Sequence, residues 1–205
     1  MDYHFKLLFT LLLVLLFFRG EAQKVHFYTL SVFNAATQLP GAVWTTPVHP
    51  GVAAGAEWAY NRNEKNRFFQ TGKVGFYHHR FVQNNAILLS EFGYRQAIWR
   101  GLGAEMRLGG GYIHSFPGTE VFRLKDGKYQ KKAAWGRPQG AADAALALSW
   151  QWGQGIHRRR VFAEYQFLMQ FPFVKQYVTL LPVTALHIGA AVPFDYCSKK
   201  QRHEK

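Results

Sequence analysis

Three sets of side chains in this sequence have types and spacings that could do chemistry. The first pairs a histidine with a carboxylate. His79 ends the run Gly75-Phe76-Tyr77-His78-His79, and Glu91 follows beyond a tight turn expected at Gln83-Asn84-Asn85. In a hairpin both could point to one face, His79 as general base and Glu91 as the group that orients it. A hydrolase also needs a nucleophile beside the base. Ser90 has the wrong parity to share a face with Glu91, and Ser115, beside His114, has no supporting pattern. His79 and Glu91 are therefore weak catalytic candidates, and no catalytic residue is assigned. His49, His78, His79 and His114 fall near one set of strand ends, and neutral imidazole is a common metal ligand. Their spacing matches no ligand motif, and alternation splits His78 from His79. No metal and no cofactor is expected.

The second set is charged. Glu57, Lys73, Glu91, Arg95, Glu105, Arg107, Asp143 and Glu164 sit at alternate positions of otherwise apolar segments. His79, Gln166, Gln170 and His187 fall on the same polar faces. A closed interior holds such charges only when they are paired and hydrogen-bonded. They read as a lumen charge network, a salt-bridge core in place of a hydrophobic one. The alternative is a small-ligand or acid–base site built from part of the network.

The third set is basic. Residues 117–139 carry Arg123, Lys125, Lys128, Lys131, Lys132 and Arg137 against Glu120 and Asp126, with Phe122, Tyr129 and Trp135 between them. Such a loop attracts phosphates and other polyanions, and these six cations are the candidate ligand-binding residues. A solvated loop resting on lipid headgroups is the plainer alternative. Arg158-Arg159-Arg160, read as a turn, and the tail cations Lys199, Lys200, Arg202 and Lys205 are expected at a headgroup layer on the other side.

Strands must position these groups. Residues 1–22 have the pattern of a cleaved export signal: Lys6, the apolar run Leu7 to Phe18, then small Gly20 and Ala22 before a cut at Gln23. That run is shorter than the roughly 20 residues of a membrane helix, and Arg19 ends it. Cleavage removes as many acidic as basic residues, so the formal charge of +13 is unchanged. Beyond the signal, period-two alternation predicts eight strands, at 24–34, 50–61, 67–82, 86–99, 102–116, 140–153, 159–173 and 184–194. In one of them Ala142, Ala144, Leu146, Leu148, Trp150 and Trp152 share a face opposite Asp143, Ser149 and Gln151.

Three features place these strands in a membrane. Many reach the length of about 10 residues that a tilted membrane strand requires. Trp99, Trp150 and Trp152 gather at one set of strand ends, and Tyr112, Phe171 and Phe173 at the other, as in interfacial girdles. Connections 35–49, 117–139 and 174–183 are long and 62–66, 100–101 and 154–158 are short, with 83–85 the exception. If both termini are periplasmic, the long loops face outward. Lipid then forces closure, because no edge can stay unpaired, and side chains fill an eight-stranded interior. The composition, 17% aromatic and 18% charged, excludes a disordered chain. One Cys excludes a disulfide framework and a Cys-based zinc module. The predicted fold is all-β: an eight-stranded antiparallel transmembrane β-barrel over 23–194, after a signal peptide over 1–22 and before a basic tail over 195–205.

The signal, the strand lengths, the Gly-aromatic pairs and a last strand ending Ala191-Val192-Pro193-Phe194 resemble the small eight-stranded outer-membrane barrel proteins of Gram-negative bacteria. The style is that of the Bacteroidota outer membrane protein β-barrel domain. The resemblance implies an outer-membrane location, outer-membrane lipid as partner, and lipopolysaccharide or another surface polyanion on the basic loop. No nucleic acid is expected. Such barrels often end on an aromatic residue, whereas here Phe194 is followed by Asp195 to Lys205. The outer-membrane lipid A deacylases, barrels with a His, Ser and Glu constellation, offer a second comparison. In that family a Ser follows its His by two positions. Here Arg80 follows His78 and Phe81 follows His79, so the comparison fails at the nucleophile. The expected role is structural or surface interaction. The alternatives are a lipid A or phospholipid hydrolase at the barrel mouth and a secreted soluble β-barrel carrier. A carrier's cavity should be mostly apolar, which the charged faces argue against.

Overall fold

The computed structural model describes residues 25–41, 47–79, 83–118, 122–125, 128–131, 135–153, 158–172 and 179–193. The expected signal peptide and basic tail lie outside them, as do Arg80, Phe81, Lys132 and Phe173. Among the described residues the strands are β1 (Val25–Ala36), β2 (Pro50–Ala59), β3 (Asn66–His78), β4 (Gln83–Trp99) and β5 (Leu102–Pro117). There follow β6 (Phe122–Lys125), β7 (Lys128–Lys131), β8 (Arg137–Trp152), β9 (Arg159–Phe171) and β10 (Leu181–Pro193). Eight of them close a barrel in the order β1-β10-β9-β8-β5-β4-β3-β2, while β6 and β7 form a separate hairpin. All barrel pairings are antiparallel, and β1 against β10 closes the ring.

Register decides which side chains meet inside. Pairings such as Thr71 with Glu91, Arg95 with Glu105 and His187 with Glu164 send the charged set to one surface of the sheet. With a side-chain period of two, that surface is the same along every strand. It is the lumen: Glu57, Glu91, Glu105 and Glu164 are all 3% exposed or less. The outer surface carries Leu30, Leu146 and Ile188, each more than 60% exposed, with Val32, Leu88, Phe92, Met106, Leu108 and Leu148. In water this polarity would leave the large apolar side chains wet and the charges dry. In hydrocarbon it is the stable arrangement, because a closed barrel satisfies its own backbone and presents only apolar groups.

The two rims differ. The short connections 60–65, 100–101 and 153–158 define a short-turn rim, to which both ends of the barrel chain return. Exposed Trp99, Trp150 and Trp152 ring it, and exposed Tyr112, Phe116 and Phe171 mark the opposite, long-loop rim. These amphipathic rings are the girdles of a membrane barrel.

The strands depart from expectation in four places. Gln83, Asn84 and Asn85 are not a turn but the start of β4. The connection comes earlier, where the His79 backbone N–H donates to Gln83 O at 3.1 Å. Asn84 pairs with His78 in the ladder, and Asn85 accepts the Ser115 hydroxyl at 2.6 Å, so both amides have partners in a strand. Second, the loop 117–139 contains the β6–β7 hairpin. Its connecting dipeptide, Asp126-Gly127, is the strongest short hairpin signal. Third, β8 starts at Arg137 and β10 at Leu181, each three residues early. Fourth, β9 starts at Arg159 as the predicted strand 159–173 does, so the separate reading of Arg158-Arg159-Arg160 as a turn fails for Arg159 and Arg160.

Candidate functional site

The lumen network is built by all eight barrel strands. Glu57 (β2) is clamped by two guanidiniums. Arg95 (β4) donates Nη1 and Nη2 to its two oxygens at 3.0 and 2.9 Å, and Arg160 (β9) donates Nη2 at 2.5 Å. Arg95 Nε then donates to Glu105 (β5) at 2.6 Å, and Glu105 accepts Arg107 Nη2 at 2.7 Å. Arg107 Nη1 continues to Glu164 (β9) at 2.5 Å. Lys73 (β3) bridges Glu164 at 2.8 Å and Glu91 at 2.7 Å. Gln166 donates Nε2 to Glu91 at 3.2 Å and to Asp143 (β8) at 3.1 Å. The chain ends at His187 (β10) and Ser31 (β1).

The amide fixes the histidine. With Gln166 Nε2 donating to carboxylates, its Oε1 is left to accept from His187 Nε2 at 3.1 Å. Ser31 Oγ lies 3.2 Å from His187 Nδ1, and with the ring protonated on Nε2 alone that nitrogen accepts the Ser31 hydroxyl. The Phe33 ring stacks on it, centroids 4.3 Å apart.

Aromatic rings floor the cations. Arg95 lies 4.7 Å over the Phe69 ring and Arg160 lies 5.0 Å over Phe27. Phe69 faces Gly93 across β3 and β4. A Cβ on Gly93 would stand 2.3 Å from the ring, so the missing side chain is what admits Phe69.

All eight predicted network residues meet in this lumen, and sequence reasoning missed two more cations. Arg160, expected in a headgroup-level turn, is fully buried and is the second clamp on Glu57. It is the fourth cation against five carboxyls. Arg67 also points inward and is 8% exposed. Parity would have found both: Arg160 is two steps of two from Glu164, and Arg67 is three from Lys73. Arg158 does lie at the rim, ion-paired with Glu64.

The catalytic pair does not assemble. Glu91 stands opposite Thr71, eight residues before His79 on β3, roughly 26 Å along the strand. His79 instead stacks on His49, with ring centroids 3.7 Å apart, and its Nε2 lies 3.3 Å from Thr37 Oγ1. Burial and the neighbouring His49 lower the pKa of His79, beyond the end of β3. Ser115 is buried between Asn85 and Gln139, while His114 bonds Tyr112 and the Trp135 carbonyl, so they form no dyad. His78 points outward to Asn84. Among the described residues no three His, Cys, Asp or Glu gather into a metal site.

Of the basic loop residues, Arg123 and Lys125 lie on β6, Lys128 and Lys131 on β7, and Arg137 opens β8. The register pairs Arg123 with Gln130 and Lys125 with Lys128. Lys132 is outside the described residues.

No protein-family model and no curated protein matches the chain. Solved structures with a similar fold include Neisserial surface protein A, at 10% identity over 82% of this chain and 97% of that one, TM-score 0.47. The attachment invasion locus protein Ail of Yersinia pestis shares 11% identity over 83% of this chain and 100% of its own, TM-score 0.43. A de novo designed transmembrane β-barrel shares 13% over 84% and 98%, TM-score 0.40. The likeness is one of architecture, and the barrel assignment for this chain stands on its own strand pairing.

Proposed function

We propose that the chain is an integral outer-membrane protein that acts at the cell surface through its basic long-loop segment, 117–139. The carrying observation is the division of charge. Inside, Glu57, Lys73, Glu91, Arg95, Glu105, Arg107, Arg160 and Glu164 are each ion-paired to at least one other member of the set. A network so closed plugs the lumen and favours neither a pore nor a carrier cavity. At the long-loop rim, the β6–β7 hairpin holds Arg123, Lys125, Lys128 and Lys131 within ten residues. With both barrel ends on the short-turn side, the hairpin rim faces outward, and its ligand is an anionic glycolipid such as lipopolysaccharide, or a surface polymer. The kinship with Bacteroidota barrel-domain proteins rests on the sequence style alone. The hydrolase reading gains no support from the separated His79 and Glu91.

The test uses the folded full-length protein in detergent. Retention on immobilised lipopolysaccharide should weaken with added salt. It should be lost when Lys125, Lys128, Lys131 and Lys132 are all changed to Gln. Retention that survives the fourfold change overturns the loop assignment. Recovery from cells in a soluble fraction, with no heat-dependent gel mobility, overturns the membrane assignment.

A further inference from the structure

Arg67 breaks the pattern of the lumen. Lys73, Arg95, Arg107 and Arg160 each hold at least one carboxylate. Arg67 is as buried as they are, yet no hydrogen bond or ion pair reaches it among the described residues, and its Nε is buried without a partner. It stands directly across from Arg95, a like charge. The nearby carboxylates are already held: Glu57 by Arg95 and Arg160, Glu64 by Arg158. A largely buried guanidinium with no hydrogen-bonded carboxylate, beside another guanidinium, is an unfavourable arrangement that an anion would relieve.

The surroundings suit that anion. Exposed Arg62, Lys65, Arg100 and Arg159 ring the same short-turn mouth and add to its positive field. A cleft of about 260 Å³ opens there, lined by Lys65, Arg95, Gly101 and Ser149 among others, and by the carboxylate Glu64, which Arg158 holds. Arg67 is not in that lining, but Lys65 precedes it by two residues and Arg95 is its cross-strand neighbour, so two of the lining residues flank it. A planar guanidinium fork matches the oxygens of phosphate better than any other side chain does.

We infer that the short-turn mouth of the barrel is an oxyanion-binding site, with Arg67 holding a phosphate group. The group is free phosphate or the headgroup phosphate of a phospholipid in the adjoining leaflet. The site is separate from the loop proposed above and lies at the opposite end of the barrel.

The experiment titrates the folded full-length protein in a neutral detergent with sodium phosphate at constant ionic strength, by calorimetry. Saturable binding is expected at one site. Arg67→Gln should weaken it roughly tenfold or more, since it removes a charge-assisted bond, and Arg67→Lys should keep part of it. Arg159→Gln, which takes one exposed charge from the field at the same mouth, should weaken it clearly less than Arg67→Gln does. Heat-dependent gel mobility reports whether each variant is folded. Should Arg67→Gln fail to fold, the guanidinium 15N shift of Arg67 in the wild type must still move with phosphate. Absence of saturable binding, an unmoved Arg67 signal, or equal losses in Arg67→Gln and Arg159→Gln overturn the site. Nanodiscs separate the sources. If phosphatidylglycerol discs abolish phosphate binding that phosphatidylcholine discs allow, the headgroup is the occupant. If both discs bind phosphate alike, the free anion is.

Discussion

The two halves of the lumen are filled by different chemistry. Toward the short turns lie the carboxyls and cations of the network, floored by Phe27 and Phe69. Toward the long loops lies an apolar cluster of Phe33, Ile87, Leu89, Ile113, Leu168 and Val183. Above it is a layer of amides and hydroxyls: Gln170 donates to Tyr77 at 2.7 Å, Gln83 to Gln170 at 3.2 Å, and Ser115 to Asn85 at 2.6 Å. Apolar packing is undirected and accommodates small shifts, whereas a bidentate guanidinium–carboxylate pair accepts one geometry. The charged half is therefore the part that specifies strand register. A slip of two residues in one strand leaves most of its apolar contacts apolar but separates that strand's ion pairs.

The largest expected effect tests this contrast directly. Glu57→Ala leaves Arg160 without its hydrogen-bonded carboxylate and Arg95 with Glu105 alone, and breaking a buried pair in this way costs about 3–5 kcal/mol. Leu168→Ala, in the other half, removes packing alone and should cost about 2–5 kcal/mol, at the lower end where the cluster can close on the space. Urea unfolding of both variants in one detergent measures the order. A larger loss for Leu168→Ala would reverse the comparison and make the apolar cluster the dominant support.

How much of this was readable from residues alone follows from parity. Lys73, Glu91, Arg95, Glu105, Arg107 and Glu164 were placed on lumen faces because each lies on a strand of clear alternation, and alternation survives errors in strand ends. Arg160 lies inside the predicted strand 159–173, yet three consecutive arginines look like a solvated turn, which leaves it out of the predicted network. Its parity with Phe162 and Glu164 outweighed composition once β9 formed. The His79–Glu91 pairing failed for another reason: parity gives the face but not the height along the barrel, which the turn sets. The sequence suggests a turn at Gln83-Asn84-Asn85, although the Asn84 and Asn85 side chains find strand partners. The β6–β7 hairpin was signalled by Asp126-Gly127 but hidden in a segment read only for charge.

A middle-sized effect sharpens the role of the aromatic floor beneath the charges. Gly93→Ala would put a methyl against the Phe69 ring, a contact the ring can relieve only by leaving its place under Arg95. Overpacking of this kind costs about 1–3 kcal/mol. Phe69→Leu combined with Gly93→Ala should recover part of the loss, because the smaller side chain frees the space. A double variant no more stable than Gly93→Ala alone would show that Phe69 is not what the glycine accommodates.

The smallest effect lies outside the lumen, in the ion pair of Glu64 with Arg158 at the short-turn rim. The hydrogen bond and charge of Arg158 lower the Glu64 pKa from its ordinary 4.5. A carboxyl lowered on folding adds stability that is fully present above its unfolded value and is lost as the pH falls through the folded one. The contribution should therefore be constant from neutral pH to about 5 and fade below 4.5. The Glu64 side chain is 68% exposed, so solvent screening reduces the pair to a few tenths of a kcal/mol. The difference in urea midpoint between wild type and Glu64→Gln, followed from pH 6 to pH 3, should shrink toward zero, and high salt should erase it throughout. A difference that grew on acidification would have the wrong sign for this pair. One as large as that of Glu57→Ala would mean that the rim specifies the barrel as strongly as its charged interior does.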